Sequence, residues 1–305
     1  MFSFHGRTAV LTGAGSGFGL ELARLLAAEG MNLVLADVQE DALAAAAQEV
    51  QGIAAPSGAA VLPVKVDVRS AEQVQGLADA TMARFGAPHL VFNNAGVGAG
   101  GLIWEHSLKD WEWVVGVNLM GVAHGVRVFT PLMLAAAEAD PAYEGHIVNT
   151  ASMAGLLNAP NMGVYNVTKH AVVSLSETLY QDLALVTDRI SASVLCPYFV
   201  PTGISQSHRN RPADMKESGA APTRSQLIAQ AMSDKAVSSG KVTAAQVAQK
   251  VVDAVRERRF YIYSHPHALG GVQVRLEDIM LGRNPTDPFK ERPDLGQSLR
   301  EKLRG

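Results

Sequence analysis

Three side chains in this sequence have the types and the spacing to move a proton: Ser152, Tyr165 and Lys169. Tyr165 and Lys169 stand four apart, which on a helix puts both side chains on one face about a turn apart. A free tyrosine, with a pKa of about 10, is a poor base at neutral pH. A lysine ammonium changes that. At an effective dielectric of about 20, unit charges roughly 4 Å apart interact by about 4 kcal/mol, close to three pKa units, roughly. A phenol so placed serves as an acid–base group near neutral pH. Ser152 follows the strand-like run His146–Thr150, where its hydroxyl can hold a substrate oxygen or simply cap a turn, as serines often do. The Tyr-x-x-x-Lys spacing alone is weak, because amphipathic helices produce it by chance.

A second group lies near the start of the chain. The run Thr12-Gly13-Ala14-Gly15-Ser16-Gly17-Phe18-Gly19 joins a strand-like segment to a helical one. Glycines there permit a tight turn and close approach of a pyrophosphate, and free N–H groups at the helix start supply donors and partial positive charge. The spacing Gly13-x-x-x-Gly17-x-Gly19 differs from the GxGxxG form, with Gly15 as an additional glycine. Asp37 ends the next strand-like run, where an acid hydrogen-bonds the adenosine ribose of a bound dinucleotide. A 2′-phosphate would meet like charge there, and neither Ser16 nor Val38 offers a compensating cation. NAD is therefore favoured over NADP. Asp37 can also cap the helix that follows, and the two roles are compatible.

These residues need a scaffold, and the pattern supplies one. Apolar, β-branched runs at Thr8–Thr12, Asn32–Ala36, Val61–Val66, His89–Phe92, His146–Thr150, Ile190–Leu195 and Phe260–Tyr263 read as strands. Between them, helical patterns cover Gly17–Ala28, Gln39–Val50, Ala71–Phe85, a long segment near Leu108–Ala137, Val164–Val186 and Ala244–Arg258. Continuously apolar strands suit a parallel sheet covered on both faces. Their alternation with helices predicts an α/β, doubly wound (Rossmann-like) sheet of about seven parallel strands. Residues 1–264 would form one catalytic domain, with a long irregular lid at about 198–240. Residues 265–305 would be an ordered C-terminal arm or a frayed tail.

Composition narrows the class. An apolar share of 48% supports a sizeable core, and a net charge of −3 argues against a nucleic-acid partner. The single cysteine, Cys196, excludes an internal disulfide and reads as a buried, inert thiol. Residues 1–7 are too short and mixed for a signal peptide, and no stretch reads as apolar and charge-free enough to cross a bilayer. The expectation is a soluble cytoplasmic protein. His265 and His267 hint at metal only weakly, and no metal site is expected. Arg209 and Arg211 read as a solvated part of the lid, and Trp104, Trp111 and Trp113 as packing residues.

Taken jointly, Thr12–Gly19, Asn93-Asn94-Ala95-Gly96, Asn118, Ser152, Tyr165-x-x-x-Lys169 and Pro197 resemble the short-chain dehydrogenase/reductase family, in its shorter single-domain branch. The resemblance spans about Gly6 to Tyr263. It implies that Tyr165 is the catalytic acid–base and that Lys169 holds the nicotinamide ribose and lowers the tyrosine's pKa. Ser152 would orient the reacting oxygen, and Asn118 would anchor a water in a proton relay. Asp67 and Val68 would flank the adenine, Asn94, Ala95 and Gly96 would line the cofactor, and Val200 and Thr202 would meet the carboxamide. A homo-oligomer, tetramer or dimer, is implied through the two long helices. One departure stands out: where the family has glycine after Pro197, this chain has Tyr198.

The expected pocket walls are Val97–Gly101, Met153–Met162, Tyr198–Phe199 and the lid. Leu156, Leu157, Pro160, Met162 and Phe199 make them largely apolar, which points to a secondary alcohol or ketone on a bulky hydrophobic or aromatic body. Two alternatives keep the fold: an NAD(P)-binding regulator without turnover, and an isomerase or epimerase that retains its cofactor.

Overall fold

The computed structural model describes residues 2–216 and 221–304. Seven parallel strands form one sheet in the order β3-β2-β1-β4-β5-β6-β7. In chain order these are β1 (Thr8–Thr12), β2 (Asn32–Asp37), β3 (Val61–Lys65), β4 (Leu90–Asn93), β5 (Gly145–Thr150), β6 (Ile190–Cys196) and β7 (Tyr261–Tyr263). The helices are α1 (Gly17–Ala28), α2 (Glu40–Ala54), α3 (Ala71–Phe85), α4 (Leu108–Val115), α5 (Gly121–Ala139), α6 (Gly163–Val186), α7 (Arg224–Ser238), α8 (Ala244–Glu257), α9 (Leu269–Met280) and α10 (Pro293–Arg304).

Strand periodicity builds two cores from one sheet, since successive side chains point to opposite faces. Ala9 and Leu11 of β1 and Leu33 and Leu35 of β2 pack with Leu22 and Leu26 of α1, Val50 of α2 and Val251 of α8. Val10 and Val34 point the other way, onto Leu77 of α3, Phe129 and Met133 of α5 and Leu183 of α6. Each fully buried leucine or phenylalanine stabilises the fold by about 1.5–3 kcal/mol. The edge strand β3, which carries Pro63, has no fully buried residue, and the other edge strand, β7, buries only Ile262.

Two predicted irregular regions carry helices. The lid holds α7, started by a reciprocal cap between Thr223 and Gln226. The C-terminal stretch holds α9 and α10, and Gly296 and Leu299 of α10 are buried. The long helical segment is also not one regular helix. A π turn, Gly116–Met120, separates α4 from α5. By composition this segment does contain a window of mean hydropathy 1.4, long enough to cross a membrane, contrary to expectation. Part of its apolar surface faces the sheet, with Val114, Phe129 and Met133 fully buried, while Leu108 and Met120 are exposed.

A buried polar chain ties the sheet to α6 beneath the site. Asn93 Nδ2 donates to Asn149 Oδ1 (2.9 Å), Asn149 Nδ2 to Ser176 Oγ (3.1 Å), and Ser176 Oγ to the Val172 carbonyl (2.7 Å). Farther along the sheet, Ser193 Oγ donates to the Arg259 carbonyl, so its partner His146 must donate from Nε2 (2.7 Å). That leaves His146 Nδ1 bare and buried. Burial lowers this imidazole's pKa to about 3. His89 is lowered to about 4, chiefly by burial, while its Nδ1 accepts from the Thr8 N–H.

Both folded values lie below the ordinary histidine value of about 6.5, so the unfolded chain binds these protons first. Their contribution is complete above that value and declines as pH falls from it toward 4. Unfolding free energy should therefore drop between about pH 6.5 and 5, before most carboxylates titrate. His146→Gln, which keeps a donor for Ser193, should flatten that slope in pH-dependent denaturation. An unchanged slope would show that His146 takes no part in it.

Candidate active site

The order of the strands reverses direction at β1, between β2 and β4, and the cleft opens there at the carboxyl ends of the strands. Gly13 and Gly17 adopt left-handed φ values of 65° and 56°. A Cβ on Gly19 would lie 2.2 Å from the Gly13 carbonyl oxygen, and one on Gly13 2.9 Å from Ala95 Cα. Thr12 Oγ1 accepts from the N–H groups of Asn94 (2.9 Å) and Ala95 (3.1 Å), and Asn94 Nδ2 returns a bond to the Thr12 carbonyl (3.0 Å). Ser16 precedes α1 without a side-chain cap bond, which leaves the first N–H groups of the helix open to an anion. Phe18 lines the cleft beside them. This glycine cradle fits a dinucleotide pyrophosphate.

Asp37 sits at the lip of the cradle. Its Oδ2 accepts from the Gly15 N–H and its Oδ1 from the Gln39 N–H, each at 2.9 Å. It thus closes the turn before α2, whose N-cap is Gln39 itself. Farther along the cleft, Asp67 is clamped by Arg69 (NH2 to Oδ2, 2.7 Å). Val68 is buried there, with its carbonyl against His124 Nδ1 (3.0 Å).

The four proposed catalytic residues come together on the other side of the cradle. Asn118 lies inside the π turn, a distortion that recurs at functional sites. Fully buried, it accepts from the Val97 N–H (2.8 Å) and donates to the Val97 carbonyl (3.0 Å) and Thr168 Oγ1 (3.2 Å). Gly96 separates it from Lys169: a Cβ there would lie 3.5 Å from Asn118 Oδ1 and 3.6 Å from Lys169 Nζ. Ser152 Oγ donates to the Pro197 carbonyl (3.3 Å) and accepts from the Ala154 N–H (3.1 Å).

Tyr165 and Lys169 do share a face of α6. Lys169 Nζ donates to the Thr150 carbonyl at the end of β5 (2.9 Å) and stands 5.7 Å from the centre of the Tyr165 ring. Burial lowers the lysine's pKa to about 8. Burial also raises the phenol, and the Ser152 hydroxyl beside it acts in the opposite direction. Cys196, behind the lysine, is pushed up to about 12 by burial and is inert.

The family model for short chain dehydrogenases matches residues 7–213. The chain belongs to that family of oxidoreductases. A short-chain dehydrogenase/reductase from Burkholderia phymatum, solved in complex with NAD, is 55% identical, with a TM-score of 0.89 over 94% of this chain and 99% of that one. A "CLA biosynthesis dehydrogenase/reductase" of Lactiplantibacillus plantarum is 32% identical over 93% of this chain and 97% of its own length. A "C alpha-dehydrogenase" of Sphingobium is 29% identical over 92% and 87%.

Away from the glycine cradle of this short-chain dehydrogenase, the cleft is lined by Leu157, Pro160, Met162, Tyr198 and Phe199. Leu156 instead packs with Val122 and Val172 behind the wall. Tyr198 is accommodated by pointing outward. Its N–H donates to Ser264 Oγ (2.8 Å), and its ring, 42% exposed, lies against Phe199 and His265. Val200 is buried in the core, and Thr202 caps the short helix Gly203–Asn210. Trp113 is buried, whereas Trp104 is 77% exposed and packs little.

Arg211 is not solvated. Its NH1 donates to Asp110 Oδ1, Nε donates to the Met215 carbonyl (2.8 Å), and the guanidinium stacks over Trp113. Burial alone would raise the Asp110 carboxyl, but the His106 ring, Arg211 and the Ser107 N–H hold it far below the ordinary carboxylate range. Lys109 reaches the same lid segment, donating to the carbonyls of Asp214 (2.8 Å) and Lys216 (3.1 Å). The capping pattern Ser107-x-x-Asp110 was visible in the sequence, but nothing near it pointed to a partner 101 residues away.

Arg211→Met leaves Asp110 with an unpaired charge in a largely buried place, at a cost of about 1–3 kcal/mol. The lid should then be cleaved faster in limited proteolysis, and KM should rise more than kcat falls. Adding Asp110→Asn should recover part of the loss. Two independent, additive losses would mean that the pair does not hold the lid.

Proposed function

We propose that this chain is an NAD-dependent dehydrogenase/reductase that interconverts a secondary alcohol and a ketone on a bulky hydrophobic or aromatic body. The observation that carries this reading is the convergence of Ser152, Tyr165 and Lys169 on one apolar-walled cleft whose other end is the open glycine cradle. NAD, when bound, supplies the hydride acceptor and a cationic ring. In the oxidative direction, Ser152 holds the substrate oxygen and Tyr165 takes its proton as the carbon loses hydride. Lys169 holds the ribose and, when charged, stabilises the phenolate.

The preference for NAD rests on Asp37 and on the NAD carried by the Burkholderia phymatum relative. Lys65, the β3 partner of Asp37, pairs with Glu40 (2.8 Å), and Arg209 donates to the carbonyls of Gly203 (3.0 Å) and Gln206 (3.2 Å) and to Gln39 Oε1 (3.5 Å). The same reading makes the protein a soluble, cytoplasmic homo-oligomer. Leu108 (73% exposed) on α4 and Leu185 (83%) on α6 offer apolar surface for subunit contact.

Following absorbance at 340 nm with a panel of aryl and alkyl secondary alcohols should show NAD reduction. Tyr165→Phe should lower kcat/KM by about 10²–10⁴-fold. Oxidation should rise with pH as the coupled pair gives up one proton, since the state that serves as base is phenolate beside ammonium. Equal rates in the two proteins would eliminate Tyr165 as the acid–base.

Asp37→Ser should move the NAD/NADP ratio toward NADP. An unchanged ratio would confine Asp37 to holding Gly15.

A further inference from the structure

The C-terminal arm forms part of the cleft, and it brings a cation there that no described residue answers. Helix α9 is seated beside the loop that carries Ser152. Its Leu269 and Val272 pack against the cluster that holds Ala151, Met153 and Val172. A Cβ on Gly271 would lie 3.4 Å from Leu157 Cδ2, an ordinary contact distance. Leu157 belongs to the turn that Ser152 starts, its N–H donating to the Met153 carbonyl (2.8 Å). Arg275 stands four residues after Gly271 and three after Val272, hence on the same face of α9. It is about 6 Å farther along the helix axis than Gly271. Val274, Arg275 and Ile279 all line the cleft.

Arg275 is half-buried, yet among the described residues no hydrogen bond or ion pair engages its guanidinium. Nor is that group sealed off, since none of its nitrogens is among the buried, unmatched atoms. The other half-buried arginines behave differently. Arg7, Arg24, Arg69, Arg211 and Arg256 each pair with a carboxylate, and Arg189 donates to the Asp140 carbonyl. The acids that follow Arg275 on α9 are already taken. Glu277 and Asp278 both face Arg283 (3.7 and 3.0 Å), and Asp278 Oδ2 also accepts from the Thr286 N–H (2.8 Å). Burial chiefly, and then the charge of Arg275, lower the pKa of His170 on α6, against the bond that its ring makes to the Asn166 carbonyl.

A partly desolvated cation without a counter-charge is held at a cost, which an opposite charge entering the cleft removes. The shape of the group narrows the anion. A guanidinium is a planar fork of N–H donors that meets a carboxylate in two parallel hydrogen bonds. Leu157 and Val274 supply only hydrocarbon between that fork and Ser152, so the body that joins the two polar ends is apolar.

We infer that Arg275 binds a carboxylate at the far end of the substrate, so that the enzyme prefers alcohols and ketones whose apolar body ends in that group. This rests on the dehydrogenase reading for the identity of the cleft's occupant.

The test uses the full chain with NAD. Its probes are 3- and 4-(1-hydroxyethyl)benzoate and 3-[4-(1-hydroxyethyl)phenyl]propanoate, each beside its methyl ester, which removes the charge. At least one acid should exceed its ester in kcat/KM by about tenfold or more, an advantage that shrinks as ionic strength rises. Arg275→Met keeps the apolar stem and should bring that ratio toward one. Arg275→Lys should retain part of it, and Arg275→Glu should push it below one. A second readout needs no turnover. Calorimetric titration of the corresponding keto acids into the enzyme, with and without NAD, cannot react, and should show tighter binding of an acid than of its ester.

An acid-to-ester ratio that is the same in Arg275→Met as in the parent chain overturns the inference, as does a panel in which no acid binds more tightly than its ester. If no alcohol reduces NAD, the dehydrogenase reading fails by itself, and the calorimetry still decides whether Arg275 takes a carboxylate.

Discussion

The glycine turn can approach the end of β4 only because it has no side chains at the points of contact. A Cβ on Gly19 would occupy the space of the Gly13 carbonyl, and one on Gly13 would meet the backbone of Ala95. That closeness lets Thr12 Oγ1 collect the N–H groups of both Asn94 and Ala95. The loop after β4 is thereby fixed, and with it Gly96, the small residue that keeps Asn118 and Lys169 apart. Asp37 secures the other side through Gly15. One steric constraint thus sets where the cradle ends and where Asn118 and Lys169 stand.

Burial acts in opposite directions on those groups. It raises the phenol of Tyr165 and lowers the ammonium of Lys169, because a low-dielectric site favours the neutral form of each. Without a cofactor, the pair therefore leans toward neutral phenol and partly neutral amine. The nearby Ser152 hydroxyl opposes this on the tyrosine side, and the Thr150 carbonyl holds the lysine in place. Positive charge added to the cleft would favour the phenolate. An empty cleft keeps its proton.

The sheet was legible in the sequence because burial on both faces leaves strands continuously apolar, and β1 begins and ends where the pattern places it. The glycine turn and Tyr165-x-x-x-Lys169 were legible for a related reason: their geometry depends on residues adjacent in the chain. Other features were not. The π turn around Asn118 leaves the apolar periodicity on either side almost unchanged, so Leu108–Ala137 reads as one helix. Helix α7 has a weak apolar face and lies among serines and glutamines, which resemble loop residues until Thr223 is seen to cap it. In α10, Leu299 and Gly296 find cover against Phe289 and neighbouring chain that periodicity cannot foresee. The direction of the Lys169 stem was equally hidden, since helical spacing gives a shared face but not which carbonyl the amine will choose.

The pairing of Asp110 with Arg211 belongs to the same class of long-range information, and its physics explains what it is for. A sheltered ion pair adds little net stability, because desolvating both charges offsets most of their attraction. What it adds is a single position. Arg211 can satisfy its charge only at Asp110, with Trp113 beneath and the Met215 carbonyl alongside. Lys109 fixes the same stretch of chain through two further carbonyls. Residues 211–216 are thus placed by directional bonds, while Val200 and Val237, near the two ends of the lid, are buried. Between those anchors, Leu227 and Met232 of α7 line the cleft while remaining 58% and 46% exposed. A helix held by its whole apolar face would have buried those side chains against the protein. Fixed by charge and at its ends, the lid leaves them on the cleft surface.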